Sequence, residues 1–264
     1  MEEKIREFLL GSDENFLDFI ASLNPASATQ IIENSKKLKD FEEGQFKKIY
    51  MPNGIFNSVV EIDFVRFSYS LLKTRARDEK LKQIIEIIEK LDQDDYRVKK
   101  LRVSLFLSLR FVYSGFFDPD LYAEILEVML KSLKAAKEYV EKGGKKILSL
   151  GFDSVSFVGS KEEGERICEE LNEILEPKLK LRYYPKVIKY INNSYYFLES
   201  GEKTLKRITK TDDRYEKIKL AVLDFIEKND FDSAKEQINS SELNKKIKDR
   251  YLAVLDEIGS RKTD

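Results

Sequence analysis

Two aspartates lie at positions where a carboxylate could bind a metal ion or take part in catalysis. Asp63 closes a run rich in Val, Ile and Phe that predicts a buried strand, and Asp153 lies at the tip of a predicted hairpin. Because the chain has no His and one Cys, metal binding would fall to carboxylates, and oxygen ligands favour Mg²⁺ or Mn²⁺. Taken singly, each aspartate is most simply a solvated or hydrogen-bonded residue at a strand end or a turn.

Composition excludes several classes of protein. The chain has 264 residues, which is enough for one large domain or two small ones. Lys and Arg (47) nearly balance Asp and Glu (48), and the net charge of -1 argues against a protein coated in basic charge. Without His, Ser-His-Asp and Cys-His catalysis are excluded, and the lone Cys168 excludes an internal disulfide framework.

The sequence shows neither a membrane-spanning run nor a signal-peptide pattern. No run approaches the roughly 18 apolar residues that a spanning helix needs. The first residues, Met1-Glu2-Glu3-Lys4, show no signal-peptide pattern. We therefore expect a soluble, cytoplasmic protein with no membrane partner.

Hydrophobic periodicity indicates the elements that would position the two aspartates. Helices are predicted in residues 1–48, 75–140 and 212–260, and a further helix after Ser160, where Ser160 and Glu163 have the spacing of a capping box. Strands are predicted in 55–67, 179–191 and 195–198, and a hairpin in 147–158. Runs of helices and strands without regular alternation are typical of an α+β fold.

The order of these elements, with their local sequences, resembles the C-terminal palm–thumb half of family B DNA polymerases, especially archaeal ones, in a degenerate form. Asn53-Gly54-Ile55-Phe56 leading to Val59-Val60-Glu61-Ile62-Asp63 is similar to the segment that enters the family's motif A. The Ser-Leu-Tyr-Pro-Ser element that follows in family members is replaced by Val65-Arg66-Phe67-Ser68-Tyr69-Ser70.

Two further motifs are matched in part. Asp95-Tyr96-Arg97 resembles the start of motif B, and Arg102 takes the place of the Lys that contacts the incoming triphosphate, but the Asn-Ser-x-Tyr-Gly stretch is lost. Gly151-Phe152-Asp153-Ser154 stands where the family's motif C reads Asp-Thr-Asp-Ser, so the first Asp has become Gly. Tyr195 ends a segment that corresponds to a Lys-rich run holding the primer strand, and the lysines are gone.

The resemblance implies a division of the chain and a set of site residues. It implies an N-terminal helical segment (1–50), a palm with an antiparallel sheet (51–70 and 112–204), reduced helical fingers (71–111) and a helical thumb (205–264). Asp63 and Asp153 would be the remnant catalytic, metal-binding pair, Arg102 the nucleotide contact and Tyr195 the primer or DNA contact. Polymerases use two metal ions that carboxylates bridge, and Asp63 and Asp153 would be the carboxylates retained here.

The losses predict an inactive protein rather than an enzyme. Gly151 offers no ligand, and Arg102 differs from Lys in shape and donor geometry. We expect an accessory or structural subunit in DNA replication or repair. It would bind an active polymerase or another replication or repair protein, with at most weak DNA binding. No cofactor would be required, and Mg²⁺ would be the ion held if the remnant site binds metal. Two alternatives remain open: the C-terminal subunit of a split, active polymerase, and an unrelated helical interaction module.

Overall fold

The fold is known from a computed structural model that describes residues 1–11, 15–39, 48–176, 178–207 and 213–260. The chain divides into two compact units. The first, called here the helical unit, comprises 1–47, 64–134 and 175–178. The second, called the sheet unit, comprises 48–63, 135–174 and 179–264.

The helical unit is built from amphipathic helices with side-chain caps. Asp78 and Asp95 accept hydrogen bonds from the first-turn amides of two of these helices, as N-cap residues do. The helix that follows Asp78 buries Leu81, Ile84, Ile85 and Ile88. The helices are α1 (Glu2–Leu10), α2 (Phe16–Leu23), α3 (Ala28–Lys39), α4 (Phe67–Arg75), α5 (Glu79–Glu89), α6 (Tyr96–Leu107), a 3-10 turn (Ser108–Arg110) and residues 119–134 of α7 (Pro119–Lys142).

Six strands form one sheet in the order β2-β3-β1-β4-β5-β6. Their bounds are β1 (Gly54–Phe64), β2 (Ile147–Leu150), β3 (Ser154–Val158), β4 (Leu179–Tyr190), β5 (Asn193–Phe197) and β6 (Lys203–Arg207). The pairs β1–β3, β2–β3, β4–β5 and β5–β6 run antiparallel. β1 therefore lies near the middle of the sheet, between the hairpin strand β3 and the long strand β4.

Helix α8 (Lys161–Ile174) covers part of the sheet. Its capping box is present as predicted, since the Glu163 amide donates to Ser160 Oγ (3.2 Å) and the Ser160 amide donates to Glu163 Oε2 (3.0 Å). Cys168 is buried on the same helix, as expected of a small core residue.

The C-terminal helices share a core with β4 and β5. They are α9 (Asp213–Glu227), α10 (Phe231–Ser240) and α11 (Lys245–Ser260). Burial of this apolar surface is the main force that holds the three helices on the strands. The buried members of the cluster are Ile188, Tyr190, Tyr195, Val222, Leu223, Ile226, Ala234, Ile238, Tyr251, Leu255 and Ile258.

The predicted α+β class is confirmed by a mixed fold of helices with a six-stranded antiparallel sheet. Two elements were missed: β6, for which no strand was predicted, and α4, at the end of the predicted strand 55–67. Within the described residues, no helix combines the length and the apolar character needed to cross a bilayer. The predicted domain bounds remain predictions.

Candidate functional site

The structure brings Asp63 and Asp153 to the same end of the sheet. Asp63 stands opposite Ser154 in the β1–β3 register, and Asp153 is the residue just before Ser154 in the hairpin turn. The Gly151 amide donates to the Ser154 carbonyl (2.8 Å) and closes that turn. Asp153 is exposed, and its negative charge reaches Asp63 strongly enough to affect its titration.

Asp63 is held in an environment that disfavours its charge. Burial, and after it the negative charges of Glu61 and Asp153, raise the pKa of Asp63 from 3.8 to about 6, although Arg182 opposes the shift. Arg182 Nη2 lies 2.7 Å from Asp63 Oδ2, which makes an ion pair. Among the described residues, no group donates an aligned hydrogen bond to this oxygen.

Glu61 is a site residue that sequence reasoning did not nominate. It lies two positions before Asp63 on β1, so both carboxylates project from one face of the strand. Its side chain is only 9% exposed, yet three groups approach it. Arg182 Nη1 donates to Oε1 (3.3 Å), Lys206 Nζ donates to both oxygens (3.0 and 3.2 Å), and the Tyr184 hydroxyl donates to Oε1 (3.4 Å).

Lys206 reaches Glu61 from the edge strand β6. Its ammonium lies 4.0 Å from the ring centroid of Tyr196 and 5.1 Å from that of Tyr184, so the two aromatic rings line its path over the sheet. Burial by itself would lower the pKa of Lys206, but Glu61 leaves it raised, so the ammonium stays charged at neutral pH. The signal in the sequence was weak, because an acid two residues before Asp63 is an ordinary feature of a strand.

The residues present do not fit the two-metal site that the resemblance implies. Gly151 provides no ligand where a carboxylate is expected, and Arg182 already occupies an oxygen of Asp63. Throughout the part of the chain that the structure describes, no three acidic or Cys side chains meet as a metal-binding group. What the arrangement does provide is a network of carboxylates neutralised by cations from the protein itself.

Arg102 belongs to the helical unit, and its side chain contacts other residues of that unit. Its side chain is buried, Nη1 donates to Gln93 Oε1 (2.5 Å), and the guanidinium lies 5.9 Å from the ring centroid of Tyr69. Burial and the neighbouring charge of Arg66 lower the pKa of Arg102. Its predicted contact with a triphosphate stays a prediction.

Tyr195 lies on β5 and faces the C-terminal helices. Its hydroxyl donates to Asp224 Oδ1 of α9 (2.9 Å), and Lys203 Nζ lies 4.3 Å from its ring centroid. The two residues before it, Asn193 and Ser194, are buried, where the resemblance places a Lys-rich run in other proteins. The predicted primer or DNA contact of Tyr195 also stays a prediction.

Comparison with known proteins supports the fold and goes no further. By sequence, the chain matches no family model and no curated protein. By structure, it is similar to the family B DNA polymerase from the hyperthermophilic archaeon Pyrobaculum calidifontis, with a TM-score of 0.50 and 11% sequence identity. The match covers 88% of this chain and 39% of that polymerase, so the chain spans well under half of its length. The chain thus has a fold like part of a family B DNA polymerase.

Proposed function

We propose that this protein is a polymerase-like palm–thumb module that has lost nucleotidyl transfer and serves as an accessory or structural subunit in DNA replication or repair. The polymerase-like fold supports the ancestry. The single observation that carries the loss of activity is the ion pair between Asp63 and Arg182, in a site where Gly151 stands in place of a carboxylate.

The chemistry of polymerases explains why that observation matters. The two metal ions activate the primer hydroxyl and hold the triphosphate, and carboxylates must bind both. The Asp63 carboxylate already pairs with the Arg182 guanidinium at 2.7 Å. A metal ion would have to compete with that charge-assisted contact for the carboxylate. Arg102, which the resemblance makes the nucleotide contact, already donates a hydrogen bond to Gln93.

Primer extension tests the proposal directly. The purified chain is incubated with a primed template and all four deoxynucleotides in Mg²⁺ or Mn²⁺, next to the same protein carrying Asp63→Ala. We expect no extension from either protein. Robust incorporation by the unchanged chain that disappears in Asp63→Ala would overturn the proposed loss of activity.

An active split polymerase is the second candidate, and one observation favours it. Asp63 and Asp153 are retained and lie at the same end of the sheet, close enough to interact electrostatically. A separately encoded N-terminal half would then supply the missing groups. Mixing the chain with a candidate half should create primer-extension activity that depends on Asp153. If the mixture extends no primer, that result counts against a split polymerase. The hairpin that brings Asp153 to the same end of the sheet as Asp63 supports a polymerase-like module over the third alternative, an unrelated helical interaction module.

A further inference from the structure

The carboxylates of β1 receive their counter-charges from two other strands of the same sheet. Arg182 of β4 contacts both acids, with Nη2 2.7 Å from Asp63 Oδ2 and Nη1 3.3 Å from Glu61 Oε1. Lys206 of β6 adds a second cation, 3.0 Å from Glu61 Oε1. One guanidinium thus bridges two acids at positions i and i+2 on a single strand face.

Lys206 is held in place by more than its charge. Tyr184 and Tyr196 line its side chain, and the ammonium donates to the Tyr184 hydroxyl (3.3 Å) as well as to Glu61. The flat faces of both rings attract the cation. From the edge strand β6, Lys206 therefore contacts side chains of β1, β4 and β5.

Charge balance explains why the site needs such cations. Glu61 and Asp63 are 9% and 16% exposed, and carboxylates withdrawn from water are costly unless they are paired. A divalent ion is one solution, and Mg²⁺ requires near-octahedral oxygen ligands at about 2.0–2.1 Å. Here the protein's own guanidinium lies against Asp63, and Gly151 brings no side-chain oxygen.

We propose that Arg182, assisted by Lys206, takes the place of the divalent cations of an active polymerase palm, so that the protein folds around these carboxylates without a metal ion. Because this role rests on the proposed function for what the site would otherwise hold, its tests measure metal binding and stability rather than DNA synthesis. A divalent ion would have to displace Arg182 from Asp63 and approach a second fixed cation.

The first test uses the unchanged protein. Thermal unfolding is followed in EDTA, in MgCl₂ and in MnCl₂ at constant ionic strength, and Mn²⁺ binding is followed by electron paramagnetic resonance. We expect the midpoint to differ by no more than about 1 °C between these conditions, since a ligand stabilises only the state that binds it. Saturable binding of Mn²⁺ with a rise in midpoint of about 4 °C or more, abolished by Asp63→Asn, would overturn the proposal.

The second test removes the cation. Arg182→Gln should lower the midpoint in EDTA, and MnCl₂ should restore part of the loss, because the freed carboxylates can then accept a metal. The matched control, Arg182→Lys, keeps a charge in reach of Asp63 and should show no response to MnCl₂. An Arg182→Gln protein that is as stable as the unchanged chain in EDTA would contradict the proposed role.

A third variant asks whether a metal site can be rebuilt. A Cβ on Gly151 would meet Ser154 Oγ at 3.1 Å, a side-chain hydroxyl that can rotate away, and Gly151 does not have a positive φ. Gly151→Asp with Arg182→Gln should therefore bind Mn²⁺ at least about tenfold more tightly than the unchanged chain. Equal binding by both proteins would count against Arg182 as the cation that excludes the metal. If the unchanged chain binds metal but makes no DNA, only the proposed role of Arg182 is overturned. If it makes DNA, the proposed loss of nucleotidyl transfer is overturned.

Discussion

Gly164 of α8 lies so close to Val60 of β1 that a methyl group on Gly164 would come within 2.8 Å of the Val60 side chain. The same methyl group would lie 2.8 Å from Leu181 of β4. The helix therefore rests directly on the two strands that carry Glu61, Asp63 and Arg182. Gly is required here for close approach rather than for an unusual backbone conformation.

Gly164→Ala should destabilise the protein, although alanine is the better helix former. Helix propensity alone would stabilise by about 1 kcal/mol, but inserting a methyl group into a close contact costs about 1–3 kcal/mol. We expect a net loss of up to about 2 kcal/mol in the free energy of unfolding, measured in urea.

Gly259 of α11 supplies the matched control. A Cβ there would meet the Phe231 ring at 3.6 Å, which is ordinary van der Waals contact. Gly259→Ala should therefore stabilise by up to about 1 kcal/mol. Equal effects of the two substitutions would contradict a close contact at Gly164.

The reciprocal hydrogen bonds of Ser160 and Glu163 predict a second stability effect. Ser160→Ala leaves the Glu163 amide without its acceptor, and such losses cost about 1 kcal/mol. Ser160→Asp is the control, because aspartate is also a good N-cap and should cost much less. Urea unfolding of the three proteins measures the difference, and an Ala variant as stable as the Asp variant would argue against the cap.

The cap and the carboxylate network show what sequence could and could not reveal. The capping box depends on residues three apart, so its spacing was visible in the chain. The strand and the hairpin that carry Asp63 and Asp153 were also predictable, since both are local patterns.

Glu61, Arg182 and Lys206 could not be found in that way. Lys206 is 145 residues from Glu61 and meets it only because the sheet order brings β6 to the same face. β6 itself was missed, so no cation could be assigned to that place. The pairing of charges across a sheet depends on strand order and register, which single-sequence patterns do not specify.

The hydroxyl of Tyr195 should contribute to stability through Asp224. Tyr195→Phe removes the donor of a 2.9 Å bond and should lower the free energy of unfolding by about 1–2 kcal/mol, since the acceptor is a carboxylate. A double-mutant cycle with Asp224→Ala isolates this pair, because alanine has no acceptor for the hydroxyl. Additive effects of the two substitutions would show that the hydroxyl and the carboxylate do not interact.

DNA binding should be weak and should depend little on salt. Asn193 and Ser194 are buried, and Lys203 already pairs with Glu227 at 2.5 Å. Each phosphate contact adds about 0.9 to the slope of log affinity against log salt, so we expect a slope no steeper than about -3 for duplex DNA. Fluorescence anisotropy at several salt concentrations measures it. Tight binding with a slope near -6 or steeper would contradict the loss of the basic run.

Lys189 of β4 should be a destabilising residue whose cost depends on pH. It is 3% exposed, and among the described residues no group accepts a hydrogen bond from its ammonium. Burial, and after it the charge of Lys219, lower the pKa of Lys189 from 10.5 to about 8. Below pH 8 the folded protein bears the cost of a buried charge, and between about 8 and 10.5 the unfolded chain binds more protons, so this group makes the protein more stable as pH rises.

Lys189→Met removes the charge and keeps a similar length. At pH 7 we expect the variant to be more stable than the unchanged chain by about 1–3 kcal/mol, and the difference should shrink as pH rises from about 8 to 10. Lys180→Met is the control, because Lys180 is exposed on the same strand and its replacement should change stability by less than about 0.5 kcal/mol at every pH. Urea unfolding at pH 7, 8.5 and 10 gives the three differences. A Lys189→Met protein that is less stable at pH 7, or a difference that does not vary with pH, would contradict the expected cost of burying this charge.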